Sequence, residues 1–158
     1  MFTKMRRFKQ ELTEEECIEL LKESKRGVLS VIVEDGYPRG IPMDHWYDEE
    51  DGCIYFHGAK EGQKIDALKE NNKASYCVMC ESGKEENSWI LHFQSVNVYG
   101  KVDFVEDEET KIKACSGICR KFTDDEEYLH DELKKALSLV QVLKLVPEHI
   151  TGKKIKES

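Results

Sequence analysis

Residues 54–71, IYFHGAKEGQKIDALKEN, constrain the fold more than any other stretch of this chain. The run 53–57 is rich in β-branched and aromatic residues, which predicts a short strand. Gly58 and Ala59 follow, then a charged turn with Gly62. From Gln63 onward Ile65, Ala67 and Leu68 take up the spacing of a helix packed by one face. A strand that stops, turns on glycine and opens a helix leaves backbone N–H groups free at the helix start. With the helix dipole, those groups favour an anion such as phosphate. Lys64, in the first helical turn, adds a positive charge at that spot, and His57 stands at the last strand position. The pattern is neither the Gly-Lys-Ser/Thr phosphate loop nor the G-x-G-x-x-G dinucleotide turn. Taken alone, such a turn is more often solvated and binds nothing.

A chain of 158 residues is long enough to bury a core without staples, and it reads as one domain over 1–158. The formal charge of −8 argues against a nucleic-acid partner, because phosphate backbones are held by an excess of Lys and Arg. No apolar run approaches a membrane span, and the start, MFTKMRRFKQ, lacks the apolar centre of a signal peptide. A cytoplasmic protein that binds no membrane is expected. Its six cysteines then sit in a reducing compartment. Cys77 and Cys80, three apart on a strand, point to opposite faces and do not grip one metal. Cys115 and Cys119 share a helix face and read as core packing. No metal site is expected.

Residues 1–12 form a basic, partly aromatic arm lying on the domain or on a partner subunit. Thr13 and Glu16 make a capping box for a helix expected to end near Gly27. Asp35-Gly36 marks a hairpin between two strands. The first has Leu29, Val31 and Val33 on one face and Val28 and Ile32 on the other, so a helix or a second subunit should cover its outside. The second, 41–47, contains Pro42, which predicts an edge or an interrupted ladder with backbone groups open to a ligand. Its plain reading has Trp46 half-buried and His45 solvated. After the 63–71 helix come a strand at 73–80 and a charged loop at 81–88. Residues 95–104 alternate cleanly, with Gly100 predicting a bend or bulge. Helices at 106–122 and 125–137 lead to a last strand, 139–146, ended by Pro147, and a short basic tail at 147–158. Six strands in hairpin-like order with three or four helices predict an α+β fold, a small antiparallel Greek-key barrel with flanking helices.

Five sets of residues, in order and with no long insertion, carry a family likeness: Gly27-Val28-Leu29, then Ile41-Pro42-Met43, then Tyr55-Phe56-His57-Gly58-Ala59 with Gly62 and Lys64, then Ser95-Val96 with Gly100, and finally Ile150-Thr151-Gly152-Lys153. In these the chain resembles the FMN-binding split barrels of the pyridoxamine 5′-phosphate oxidase-like superfamily, and within it the nitroimidazole-resistance type. The resemblance implies a homodimer with two FMN sites at the interface. It implies that Ile41, Pro42, Met43 and Asp44 run along the isoalloxazine ring. His57, Gly58 and Ala59 would lie near the ribityl chain and phosphate, with Gln63 and Lys64 at the phosphate and Ser95 touching the flavin. In relatives of this type the histidine matching His57 is given a catalytic or substrate-facing role; the alternative is that it only bonds the cofactor and the strand end. Relatives often carry arginine just before the serine, where this chain has Gln94, so one family contact is lost or moved. The loop ESGKEENSW differs too.

The leading expectation is therefore an FMN-dependent oxidoreductase that passes hydride or two electrons to a small organic molecule. Nitro-group reduction is one candidate reaction, with NADH or NADPH as electron donor. A flavin carrier or sensor without turnover shares every cofactor residue and stays open. A haem-binding split barrel, with an axial ligand among the five histidines, ranks last because no haem-type tail is recognisable.

Overall fold

The computed structural model describes residues 2–81, 87 and 91–157. A 3-10 turn (Phe8–Gln10) leads into α1 (Glu14–Glu23), where the Thr13 hydroxyl accepts the Glu16 N–H at 3.2 Å as the capping box requires. The helix buries Cys17, Leu20 and Leu21 and stops at Ser24, three residues before the expected Gly27. The reason is that β1 already begins at Arg26 (Arg26–Ile32). Gly27 belongs to that strand, and a Cβ there would stand 2.7 Å from the ring of Tyr76.

The sheet has seven strands, one more than predicted, in the order β2-β1-β5-β6-β7-β4-β3. The extra strand arises because the run at 41–47 breaks in two. β2 (Pro38–Asp44) pairs with β1 at one edge, and β3 (Trp46–Asp48) pairs with β4 (Cys53–Ala59) at the other. The chain crosses from edge to edge at His45, which draws the two edges together and curls the sheet into a half-barrel. Pro42 sits on an edge strand, where a missing N–H breaks no ladder.

His45 is the hinge of that crossing, and the solvated histidine expected there is instead fully buried. Its Nε2 donates to the Leu21 carbonyl at 2.7 Å, and its Nδ1 lies 2.6 Å from the Tyr76 hydroxyl. That hydroxyl is also 2.9 Å from the Met43 carbonyl, so its single hydrogen serves one partner at a time. Burial, aided by the charge of Lys121, pushes the His45 pKa down to about 4 against an ordinary 6.5. The unfolded chain therefore takes up a proton between those values that the folded chain refuses. Stability should be full above pH 6.5 and fall towards pH 4, by an amount on the order of 3 kcal/mol. Denaturant midpoints of the native protein and of His45→Gln, measured across that range, should show the acid limb flattened in the variant.

α2 (Gln63–Glu70) follows β4 and buries Ile65, Ala67 and Leu68 against the barrel. Then come β5 (Lys73–Glu81) and the long β6 (Leu91–Val105). Val96, Val98 and Val102 face the core as the alternation predicts. The last strand, β7 (Val140–Glu157), departs from expectation: it runs through Pro147, and most of the supposed tail at 147–158 is strand. Pro147 is tolerated because it lies at a bulge, where the register to β6 slips between Tyr99 and Gly100. Gly100 pairs with Pro147 there, and a Cβ on it would run into the Val146 carbonyl oxygen.

The barrel core holds Leu29, Val31, Phe56, Tyr76, Val78, Leu143 and Leu145, capped by α1 and α2. A second, smaller core lies outside it, where α3 (Glu108–Cys119) packs Ala114 and Cys115 on Cys53, Tyr55 and Val142. α4 (Glu126–Ala136) lies against α3, its start capped by Asp125. These helices are shorter than the predicted 106–122 and 125–137, and Phe122 stands half-exposed in the turn between them. The N-terminal arm lies on its own domain: Phe2 stacks on His149 with ring centres 4.5 Å apart, and Leu12 N–H donates to the Gly152 carbonyl. The outer face of β1 is different, since Val28 and Ile32 remain 38% and 40% exposed. Among the described residues, no helix is long and apolar enough to cross a membrane.

Candidate functional site

The site is built where β4, α2 and β2 meet. Ile54 and Phe56 point into the barrel and are fully buried, so Tyr55 and His57 point the other way, towards α3. At the turn Gly62 takes φ 132°, a conformation that favours glycine, and it caps α2 without a side chain. The N–H groups of Gln63, Lys64 and Ile65 therefore have no acceptor within the helix.

Lys64 reaches back over β4. Its Nζ lies 2.7 Å from the place a Cβ on Gly58 would occupy, and Met43 Cε lies 3.7 Å from the same point. A glycine at 58 is what leaves the amine room. The amine is half-buried and makes no hydrogen bond or ion pair among the described residues. Burial pushes its pKa down, and the charge of Arg39 pushes the same way. Arg39, on β2, bonds through its guanidinium to the side-chain oxygen of Gln63. Arg39 thus meets the start of α2 through Gln63 and its charge acts on Lys64, so two cations stand by a helix start whose N–H groups have no acceptor within the helix. An anion in that space relieves the repulsion and satisfies the donors, so a phosphate fits what the residues offer.

Of the residues expected at the site, Met43, Gly58, Gln63 and Lys64 are brought together here. Ile41 faces the core half-buried, Pro42 is exposed on the edge, and Ala59 is exposed at the end of β4. Asp44 closes β2, its Oδ1 accepting from Arg26 Nε at 2.7 Å. His57 is half-buried and without a hydrogen bond among the described residues. Burial lowers its pKa; Asp44 opposes that shift and Lys64 adds to it, so the ring is neutral at pH 7. Ser95 stands apart, on β6, paired with Met79 and Lys153. Of the loop ESGKEENSW only Glu81 and Asn87 lie within the described residues.

Two contributors escaped the sequence reading. Arg39 was overlooked because nothing local ties a hairpin arginine to a helix 24 residues on. Tyr76 was overlooked because its role, a hydroxyl against the Met43 carbonyl, is made across 33 residues. A charged residue two positions before Ile41, the first cofactor strand residue predicted, was the one usable signal for Arg39.

Comparison with known proteins identifies the family and the fold. Residues 13–154 match the family model of pyridoxamine 5′-phosphate oxidase, and the chain belongs to that family. The fold is that family's split barrel. A crystal structure assigned to a candidate 5-nitroimidazole antibiotic resistance protein from Bacteroides thetaiotaomicron is 25% identical, with TM-score 0.80 over 93% of this chain and 87% of that one. A flavocytochrome from Azotobacter vinelandii is 19% identical, with TM-score 0.76 over 98% of this chain and 73% of that one. An FAD-binding protein from Mesorhizobium loti is 20% identical, with TM-score 0.68 over 94% and 97%. The last two likenesses concern the fold alone. No curated protein matches the chain.

Proposed function

We propose that this protein is an FMN-binding oxidoreductase of the nitroimidazole-resistance type, passing hydride or two electrons to a small organic molecule. The observation that carries the reading is the half-buried Lys64, without a hydrogen bond or ion pair among the described residues, beside Arg39 at a start of α2 that no side chain caps. Lys64, Arg39 and the N–H groups of residues 63–65 would hold the phosphate of FMN. Gly58 lets the chain approach closely, and β2 from Ile41 to Asp44 would flank the ring. When bound, FMN supplies the two-electron chemistry. His57, neutral at pH 7, can donate from one ring nitrogen and accept at the other, which suits a group that orients a substrate or hands it a proton.

A homodimer belongs to the same proposal. Val28, Ile32, Met79 and Tyr99 form an exposed apolar set on the outer face of β1, β5 and β6, and Ser95 lies on that face beside Met79. A second copy seated there would cover the apolar set and bring Ser95 to a cofactor site. The six free thiols support a reducing, cytoplasmic setting.

The purified protein should show a two-banded flavin spectrum, release FMN on heating and sediment as a dimer. NADH or NADPH should then bleach the flavin, and a nitroaromatic compound should restore its colour. A colourless protein that takes up no added FMN overturns the cofactor. Bound FMN that no donor reduces withdraws the oxidoreductase in favour of a carrier or sensor, and a Soret band would point to haem.

A further inference from the structure

We propose that the groove between the start of α3 and the end of α4 binds a small dipolar molecule, with an ammonium end, a carboxylate end and an apolar body between them. That is the chemistry of an apolar amino acid or a short apolar peptide. The site goes beyond the flavin reading and does not depend on it, because no residue of the Lys64–Arg39 site lines the groove. The groove measures about 710 Å³, within the range of small-molecule sites. Glu108, Lys111 and Ile112 stand at the spacing of one face of α3, and Leu133, Lys134 and Leu137 share one face at the end of α4. Ile112 is 40% exposed, and Leu133 and Leu137 are half-buried, so the floor is apolar and open to an apolar body.

The charges select the ligand. Glu106 and Glu108 line the groove at the start of α3, Lys111 lies one turn further on, and Lys134 lines it from α4. Carboxylates and amines are thus equal in number, and none of these four side chains makes a hydrogen bond or ion pair among the described residues. Lys111 acts on Asp107 through its charge alone. The neighbouring lysines are engaged elsewhere: Lys113 pairs with Asp48 and Glu50, and Lys135 with Glu132. An organic anion in the groove satisfies the amines but meets two carboxylates, and an organic cation does the reverse. A dipolar molecule meets opposite charge at both ends. Glu108 and Lys111 are about 4.5 Å apart along the helix axis, and their side chains extend that reach. This spacing suits an extended dipeptide, whose ends lie up to about 7 Å apart, better than a single amino acid. The exposed His130 and Ser138 add further polar contacts.

The test titrates leucyl-leucine, N-acetyl-leucyl-leucine, leucyl-leucinamide and leucine calorimetrically into the full-length protein. The acetylated compound lacks the ammonium, the amide lacks the carboxylate, and leucine brings the two charges closer together. Leucyl-leucine should bind saturably and at least about fivefold more tightly than either capped form. Tighter binding of leucine than of leucyl-leucine would support the groove with a free amino acid as its ligand. Glu106→Gln with Glu108→Gln should erase the advantage over the acetylated form, and Lys111→Gln with Lys134→Gln the advantage over the amide. A merely structural loss does not produce that crossed pattern. Ile112→Asn should weaken leucyl-leucine about tenfold while the thermal midpoint stays within about 2 °C of the native value. No saturable binding of leucyl-leucine or leucine, a capped form bound as tightly as leucyl-leucine, or unchanged preferences in the charge variants overturns the site.

Discussion

Lys64→Ala should weaken FMN binding by about 10- to 100-fold, the loss expected when one or two charge-assisted hydrogen bonds to a phosphate are removed. The same change should not harm the cofactor-free protein. The Lys64 amine is partly stripped of water and repelled by Arg39, so its charge opposes folding until an anion arrives. Removing it should leave the thermal midpoint without FMN unchanged or slightly higher, while the rise that saturating FMN produces shrinks. This opposite movement distinguishes an anion site from a structural lysine, whose loss lowers both midpoints. Gly58→Ala offers a second approach: its Cβ would stand 2.7 Å from Nζ, and the flexible amine would swing away, so affinity should fall by a smaller factor. Arg39, exposed and already bonded to Gln63, should contribute less than Lys64. Quenching of FMN fluorescence on titration reads all three variants. Unchanged affinity in Lys64→Ala would place the phosphate elsewhere.

The parts of this site legible in the sequence are those made by neighbours in the chain. His57, Gly58, Gly62, Gln63 and Lys64 occupy one strand–turn–helix unit, and its geometry follows from residue types and spacing alone. The paired alternation of β6 was legible for the same reason, and so was the edge position of Pro42. What stayed hidden depends on contacts far along the chain. His45 reads as one more residue of an extended run until the Leu21 carbonyl and the Tyr76 hydroxyl take its two nitrogens across 24 and 31 residues. Those bonds bury it, break the strand and send β3 to the opposite edge of the sheet. Pro147 reads as a stop because proline lacks a ladder donor, yet the slipped register beside Gly100 means that no donor is needed there. The groove between α3 and α4 needs two helices at once, and no local pattern announces it.

Gly100→Ala should be the most damaging glycine-to-alanine change among the described residues, costing on the order of 3–5 kcal/mol and lowering the thermal midpoint by roughly 10 °C or more. The added Cβ would run into the Val146 carbonyl oxygen, with its carbon 2.9 Å and the Pro147 Cα 3.1 Å from the same point. All three obstacles are backbone, so no side-chain rotation relieves the clash. The strands must part at the bulge where β6 and β7 change register, in the middle of the longest pairing of the sheet. Gly36→Ala is the natural control. That glycine holds a φ of 82° in a hairpin turn, but no heavy atom lies within 4 Å of its would-be Cβ. Its substitution meets only the backbone strain of a left-handed residue, about 1–2 kcal/mol. Thermal or urea unfolding of the two variants should therefore separate crowding from strain, with Gly100→Ala well below Gly36→Ala. Similar midpoints for both would mean that the bulge yields easily, and that β7 is not the rigid wall against which β4 positions His57.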